Sequence, residues 1–181
     1  MKAVVQRVID AAVTVDGALK GGVASGLLVY LGVARDDTTR DADWLAEKIP
    51  HLRVFDDENG KMNLSLLEIV NQQHDEVNNI AVNQQKEVVN KEGVNHENIK
   101  VNTPPIGVLA VSQFTLLGDA RKGRRPTWDK AAPPEKALNL YLYFIEKIRE
   151  KVPCQSGEFQ AHMKVSYTND GPVTILLDSG E

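Results

Sequence analysis

Seven consecutive residues, Gly26-Leu27-Leu28-Val29-Tyr30-Leu31-Gly32, form a nearly continuous apolar run closed by glycine at both ends. A run so short and so uniformly apolar fits a strand buried on both faces, because a strand with one wet face alternates instead. Other segments must therefore cover both sides of the sheet that holds it.

Residues 2–10 read as a strand that 12–15 continue, and Asp16-Gly17 is a turn signal. After the apolar run, Asp37 or Thr38 can cap a helix in which Trp44, Leu45, Lys48 and Ile49 recur at helical spacing before Pro50 disrupts it. Residues 52–55 form a strand and 56–60 a turn, whereas 62–70 are mixed and unassigned. Residues 108–111 begin a strand that runs into 112–117, and 118–127 form a basic loop. Pro133-Pro134 opens the longest helix, with Ala137, Leu138, Tyr141, Ile145 and Ile148 along its inner face, ending near Pro153. Residues 163–167 and 173–177 are two final strands joined by Thr168-Asn169-Asp170-Gly171-Pro172. Strands grouped in pairs around two helices predict a single α+β domain: a largely antiparallel sheet, curled into a barrel-like layer, with two main helices on one face.

One stretch breaks the pattern. Residues 71–103 contain no aromatic residue and are crowded with Asn and Gln, as in Asn78-Asn79 and Gln84-Gln85. Val77, Ile80, Ala81, Gln84 and Val88 give only a weak helical stripe. Such a composition buries little apolar surface, so the stretch reads as a surface insertion within a domain spanning 1–181.

The formal net charge of −4 gives no overall attraction to nucleic acid. Any RNA contact falls to a local patch, and Arg121, Lys122, Arg124 and Arg125 lie within five residues. No apolar segment approaches the roughly 20 residues that span a bilayer, and the first residues lack a signal-peptide core. Cys154 is the single cysteine. These features fit a reduced, cytoplasmic protein with no membrane partner.

Side-chain chemistry is sparse. No Gly-rich phosphate loop, nucleophile elbow or metal-spaced histidine pair is present; His51, His74, His96 and His162 are scattered. Cys154 has no base near it in sequence, and Asp56-Asp57-Glu58 reads as a solvated turn. No cofactor or metal is expected.

Three segments carry more. They are Lys2 to Val8, ending Val5-Gln6-Arg7-Val8; Ser112-Gln113-Phe114-Thr115-Leu116; and Asn169-Asp170-Gly171-Pro172-Val173-Thr174. In this order, with Lys61-Met62-Asn63-Leu64-Ser65, the 118–126 loop and Ala131-Ala132-Pro133-Pro134, they resemble the D-aminoacyl-tRNA deacylases. The resemblance covers 1–70 and 104–179; the insertion is the main departure.

The resemblance implies a homodimer whose site crosses the subunit boundary, acting on the ester that joins an amino acid to the tRNA 3′ end. Hydrolysis passes through an oxyanion, which needs aimed N–H donors more than an acid or base. Ser112, Gln113, Phe114 and Thr115 would line the pocket, with backbone N–H groups holding the scissile carbonyl. The activating hydroxyl would be the ribose 2′-OH; Thr115 as nucleophile has no identifiable base. Rejecting abundant L-esters needs a factor of about 10⁴, or about 5.5 kcal/mol, whereas one hydrogen bond supplies about 1–3 kcal/mol. Rejection is therefore steric or desolvating. The resemblance assigns it to Gly171-Pro172, a cis pair whose carbonyl oxygens enter the partner's pocket, which also admits glycyl-tRNA mischarged on tRNA-Ala. Gln6, Arg7, Met163, Asn169 and Thr174 would support the site, and Arg121, Lys122, Arg124 and Arg125 would grip acceptor phosphates. Two alternatives stand beside this reading: a related L-alanyl-tRNA editing deacylase, and a nucleic-acid binding module without catalysis.

Overall fold

The computed structural model describes residues 1–84 and 106–180. Strands β1 (Lys2–Val15) and β2 (Ala18–Gly32) form a long antiparallel hairpin turning at Asp16-Gly17, both at positive φ. Helix α1 (Thr39–Lys48) follows, then β3 (Arg53–Asp56), β4 (Met62–Ser65), α2 (Leu66–Gln84), β5 (Ile106–Ser112), α3 (Pro134–Arg149), β6 (Cys154–Ser156) and β7 (Lys164–Asp178).

Five strands join in the order β6-β5-β2-β1-β7, and β3-β4 form a separate ribbon. The apolar run sits in the central strand, where Leu27, Leu28, Val29 and Leu31 are fully buried. Its two faces feed two cores. Leu27, Val29 and Leu31 pack with Leu45 and Ile49 around α1 and with Tyr141, Phe144, Ile145 and Ile148 of α3. Leu28 packs on the other face with Val8, Val13, Val23, Leu109 and Val111. No helix contributes to this second cluster among the described residues: its buried members come from β1, β2 and β5, with Tyr30, Met163 and Val165 packed against them.

Three expectations change. The sheet is mixed rather than largely antiparallel: β2–β5 and β5–β6 are parallel, and β1 pairs antiparallel with β2 and β7. Parallel neighbours need crossovers, and the helices that supply them cover one face. The sheet is also not a barrel, since closure would require β6 to pair with β7; β6 has three residues and hydrogen-bonds only β5. Thirdly, the described residues form three α-helices. The unassigned stretch 62–70 holds β4 and the start of α2, whose 19 residues exceed the 16 of α3. Residues 71–84 of the Asn/Gln-rich stretch continue α2, with Asn71 to Asp75 exposed, and 85–103 lie outside the described residues. The two expected final strands are one, β7, whose pairing with β1 slips between Gln6 and Val8 and again between Ile9 and Ala12.

The helix ends follow local rules. Thr38 and Asp41 form a capping box at α1, and His51 Nδ1 lies 2.7 Å from the Glu47 carbonyl at its far end. On α3, Leu140 and Phe144 are buried in addition to Tyr141, Ile145 and Ile148.

Candidate active site

β5 ends at Ser112, and its chain then tightens into a 3-10 turn, Phe114–Leu117. A cleft of about 570 Å³ opens beside this junction. Ser112, Gln113 and Phe114 form one wall, Ala132, Ala137 and Tyr141 another, and Phe159 to Met163 a third. The Tyr141 hydroxyl, raised in pKa chiefly by burial, donates to the Ala110 carbonyl at 2.9 Å and so fixes α3 against β5.

Hydrogen bonding at the strand end decides which donors remain. The Gln113 N–H donates to the Leu31 carbonyl (2.8 Å), Leu116 N–H to the Gln113 carbonyl (3.3 Å), and Gly118 N–H to the Thr115 carbonyl (3.0 Å). The N–H groups of Phe114 and Thr115 come first in the 3-10 turn and have no intrahelical acceptor. The Thr115 side chain does not line the cleft; its hydroxyl accepts a hydrogen bond from the Gln113 amide. An amide donor cannot take a proton from that hydroxyl.

Asn169, Asp170, Gly171, Pro172 and Thr174 lie elsewhere on the protomer, and none of them lines its cleft. The Gly171–Pro172 bond is cis, and both residues are exposed. Their loop is braced from both strands. Gln6 Nε2 donates to Thr174 Oγ1 (3.0 Å), Asn169 Nδ2 donates to the same oxygen (3.2 Å), and Val173 N–H donates to Asn169 Oδ1 (3.2 Å). Arg7, only 8% exposed, donates from Nη1 to the Val54 carbonyl (2.7 Å) and from Nε to the Asp170 carbonyl (3.3 Å). Its Nε also meets Asp170 Oδ2 at 3.0 Å, and Nη1 meets Asp56 Oδ2 at 3.5 Å. Gly171 sits at φ +120, and a Cβ there would lie 2.8 Å from Val173 Cγ2 and 3.2 Å from Arg7 Nη2. Only glycine fits that backbone.

The basic residues lie on an exposed loop beyond the 3-10 turn. Arg121 is engaged by Asp119, whose carboxyl it holds far below the usual range, while Lys122, Arg124 and Arg125 enter no ion pair among the described residues. The Cys154 thiol is buried and pushed up to about 12 by that burial.

Besides Ser112, Gln113 and Phe114, Met163 is the one wall residue that sequence reasoning named as part of the site. Tyr141, Phe159 and His162 were missed as site residues: Tyr141 reads as a core position, and 157–163 has no periodicity to mark it as a wall.

The profile of the family described as D-Tyr-tRNA(Tyr) deacylase matches residues 4–86 and 70–178. This chain belongs to that family. It is 50% identical over 179 residues to a D-aminoacyl-tRNA deacylase of Kosmotoga olearia, covering 99% of this chain and 97% of that protein. A D-aminoacyl-tRNA deacylase of Geotalea uraniireducens is 48% identical over 180 residues, with 99% and 94% covered. Among solved structures, the c-Myc DNA Unwinding Element Binding Protein is 34% identical with a TM-score of 0.74 and 98% of each chain covered. A probable eukaryotic D-amino acid tRNA deacylase shares the fold at 15% identity, with a TM-score of 0.67 and 97% of each chain covered.

Proposed function

We propose that the chain is a D-aminoacyl-tRNA deacylase whose hydrolysis relies on main-chain donors in the cleft. The observation that carries this reading is the free N–H of Phe114 in the wall of a largely apolar cleft, with the free N–H of Thr115 next to it in the chain, in a member of this family. The amino acid side chain occupies the cleft and the ester carbonyl lies at the strand end. As water adds to the carbonyl carbon, the two N–H groups stabilise the developing oxyanion. The ribose 2′-OH assists by accepting the water's proton while passing its own to the departing 3′ oxygen. The bond from the carbonyl carbon to the ribose oxygen then breaks, releasing the free amino acid and tRNA. Thr115 is no nucleophile, because its hydroxyl is engaged by a donor.

Selection follows from the separation of the two motifs. Gly171-Pro172 does not line the cleft of its own protomer, so in this reading a second copy supplies the wall that crowds an L side chain. β7 suits such an assembly. It is a 15-residue edge strand with Leu176 77% exposed, a feature that monomeric sheets ordinarily blunt. A glycyl ester has no side chain to reject, so glycyl-tRNA is also a substrate. Lys122, Arg124 and Arg125 hold backbone phosphates, with Arg121 oriented by Asp119. The enzyme works in the cytoplasm, where charged tRNA is found.

The test is hydrolysis of D-tyrosyl- and L-tyrosyl-tRNA side by side. Rapid release from the D-ester with the L-ester intact supports the reading. Preferred hydrolysis of L-alanyl-tRNA would make the protein an editing relative, and binding without hydrolysis would make it a non-catalytic module.

A further inference from the structure

At the mouth of the cleft the wall residue Phe114 pairs with Trp128, a ring that neither the core nor the reaction uses. Phe114 is 58% exposed and Trp128 39% exposed, with ring centroids 5.2 Å apart and planes at 73°. Phe114 lines the cleft and Trp128 does not, so Trp128 stands one step further out. The indole is held by the fold. Its ring lies over Gly118, where a Cβ would meet Trp128 Cζ3 at 2.5 Å. The loop that carries it is closed at both ends, by the Asp119–Thr127 and Ala34–Ala131 bridges. Between residues 119 and 130 that loop has five cationic side chains, Arg121, Lys122, Arg124, Arg125 and Lys130, against two carboxylates. Of these, Lys122, Arg124 and Arg125 enter no ion pair among the described residues, and a fixed, exposed ring among such cations is how proteins hold unpaired nucleotides, with bases on the aromatic face and phosphates on the charges.

We propose that Trp128 is the stacking platform for the base preceding the terminal nucleoside of the RNA 3′ end. This rests on the deacylase reading, which puts the ester at Ser112–Phe114 and the terminal nucleoside against Phe114. The next base outward then meets Trp128, and its phosphates face Lys122, Arg124 and Arg125. Stacking binds the RNA without touching the reacting atoms, so it acts on KM.

Two measurements test it. Trp128→Ala should raise KM for D-tyrosyl-tRNA about tenfold at unchanged kcat, while leaving KM for D-tyrosyl-adenosine, which lacks the preceding nucleotide, unchanged. Trp128→Phe should restore most of the loss. Equal shifts on both substrates, or no shift on either, would overturn the proposal. The second measurement does not depend on hydrolysis. The only other tryptophan is Trp44. In a Trp44→Phe background, the uncharged RNA trimer CCA should quench Trp128 fluorescence saturably, and adenosine alone should not. No quenching by CCA sinks the platform even if D-tyrosyl-tRNA is hydrolysed normally. Failure of the wild-type protein to hydrolyse D-tyrosyl-tRNA, with quenching intact, instead removes the deacylase reading.

Discussion

Arg7 shows how one residue can tie a surface loop to the core. A guanidinium at 8% exposure loses most of its water, and that loss must be offset by specific partners. Arg7 has them on two sides: the Val54 carbonyl within β3, and the carbonyl and carboxylate of Asp170 just before Gly171. Asp56 and Asp170 are each about half exposed, at 52% and 44%, so water can replace their half of the interaction. The Val54 carbonyl is buried with Arg7 and has less recourse. Arg7→Met should therefore cost about 1–3 kcal/mol in chemical denaturation. It should also relax rejection of L-esters more than it slows D-ester hydrolysis. Arg7→Lys keeps the charge but lacks the fork that spans both partners, and should recover little selectivity. If Arg7→Met destabilises the fold yet discriminates as well as wild type, the Gly171 loop does not depend on Arg7. Thr115 gives a sharper test. Removing a true nucleophile typically costs about 10⁴-fold or more in kcat. Because its hydroxyl only accepts from Gln113, Thr115→Val should keep kcat within about tenfold, and a larger loss would reinstate it as a reacting group.

At the scale of elements, legibility tracked the strength of local signals. The Gly26–Gly32 run, the Thr38 cap and the Pro134 start of α3 each have a short-range physical cause, and the fold contains each of them. The first half of β2 was not read as strand because its glycines serve distant neighbours. A Cβ at Gly21 would lie 2.7 Å from the Ser156 carbonyl oxygen, a constraint that appears only once β6 is in place. The cleft wall from 159 to 162 was equally silent, whereas Met163 and the residues bracing Gly171 were named through resemblance alone. The start of α2 did carry a signal. Ser65 and Glu68 have capping-box spacing, and they bond reciprocally: Ser65 N–H and Oγ donate to Glu68 Oε2 at 2.7 Å each, and Glu68 N–H donates to Ser65 Oγ at 3.3 Å. Ser65→Ala should cost about 0.5–2 kcal/mol at neutral pH. The Ser65 contacts hold the Glu68 carboxyl below its ordinary value of 4.5. A depressed carboxylate contributes stability above its unfolded value and loses it as pH falls through the folded one. The gap between wild type and Ser65→Ala should thus be full at pH 7 and shrink below about pH 4. A gap independent of pH would mean that Glu68 is not the partner that matters.

For the whole molecule, the question is whether one chain contains a complete site. The cleft and the Gly171-Pro172 loop occupy different places on the protomer, and each is locally well supported, the cleft by Tyr141 and the loop by Arg7, Gln6 and Asn169. Mixing variants can decide how they meet. Ala137→Trp places an indole in the cleft from α3 and leaves the loop intact. Gly171→Ala disturbs the loop, since its Cβ would press on Val173 and Arg7, and leaves the cleft open. Alone, the first protein should hydrolyse neither ester, and the second should hydrolyse both. In a mixed dimer with a crossed site, the open cleft faces the intact loop, and the blocked cleft faces the disturbed one. With the Ala137→Trp chain in large excess, nearly every Gly171→Ala chain has that partner after subunit exchange. Hydrolysis of L-tyrosyl-tRNA per Gly171→Ala chain should then fall toward zero while D-tyrosyl-tRNA hydrolysis persists. A site contained in one protomer would give only the sum of the two parents at every ratio. Selectivity that returns on mixing two unselective or inactive proteins can come only from a wall built by one chain for the cleft of another.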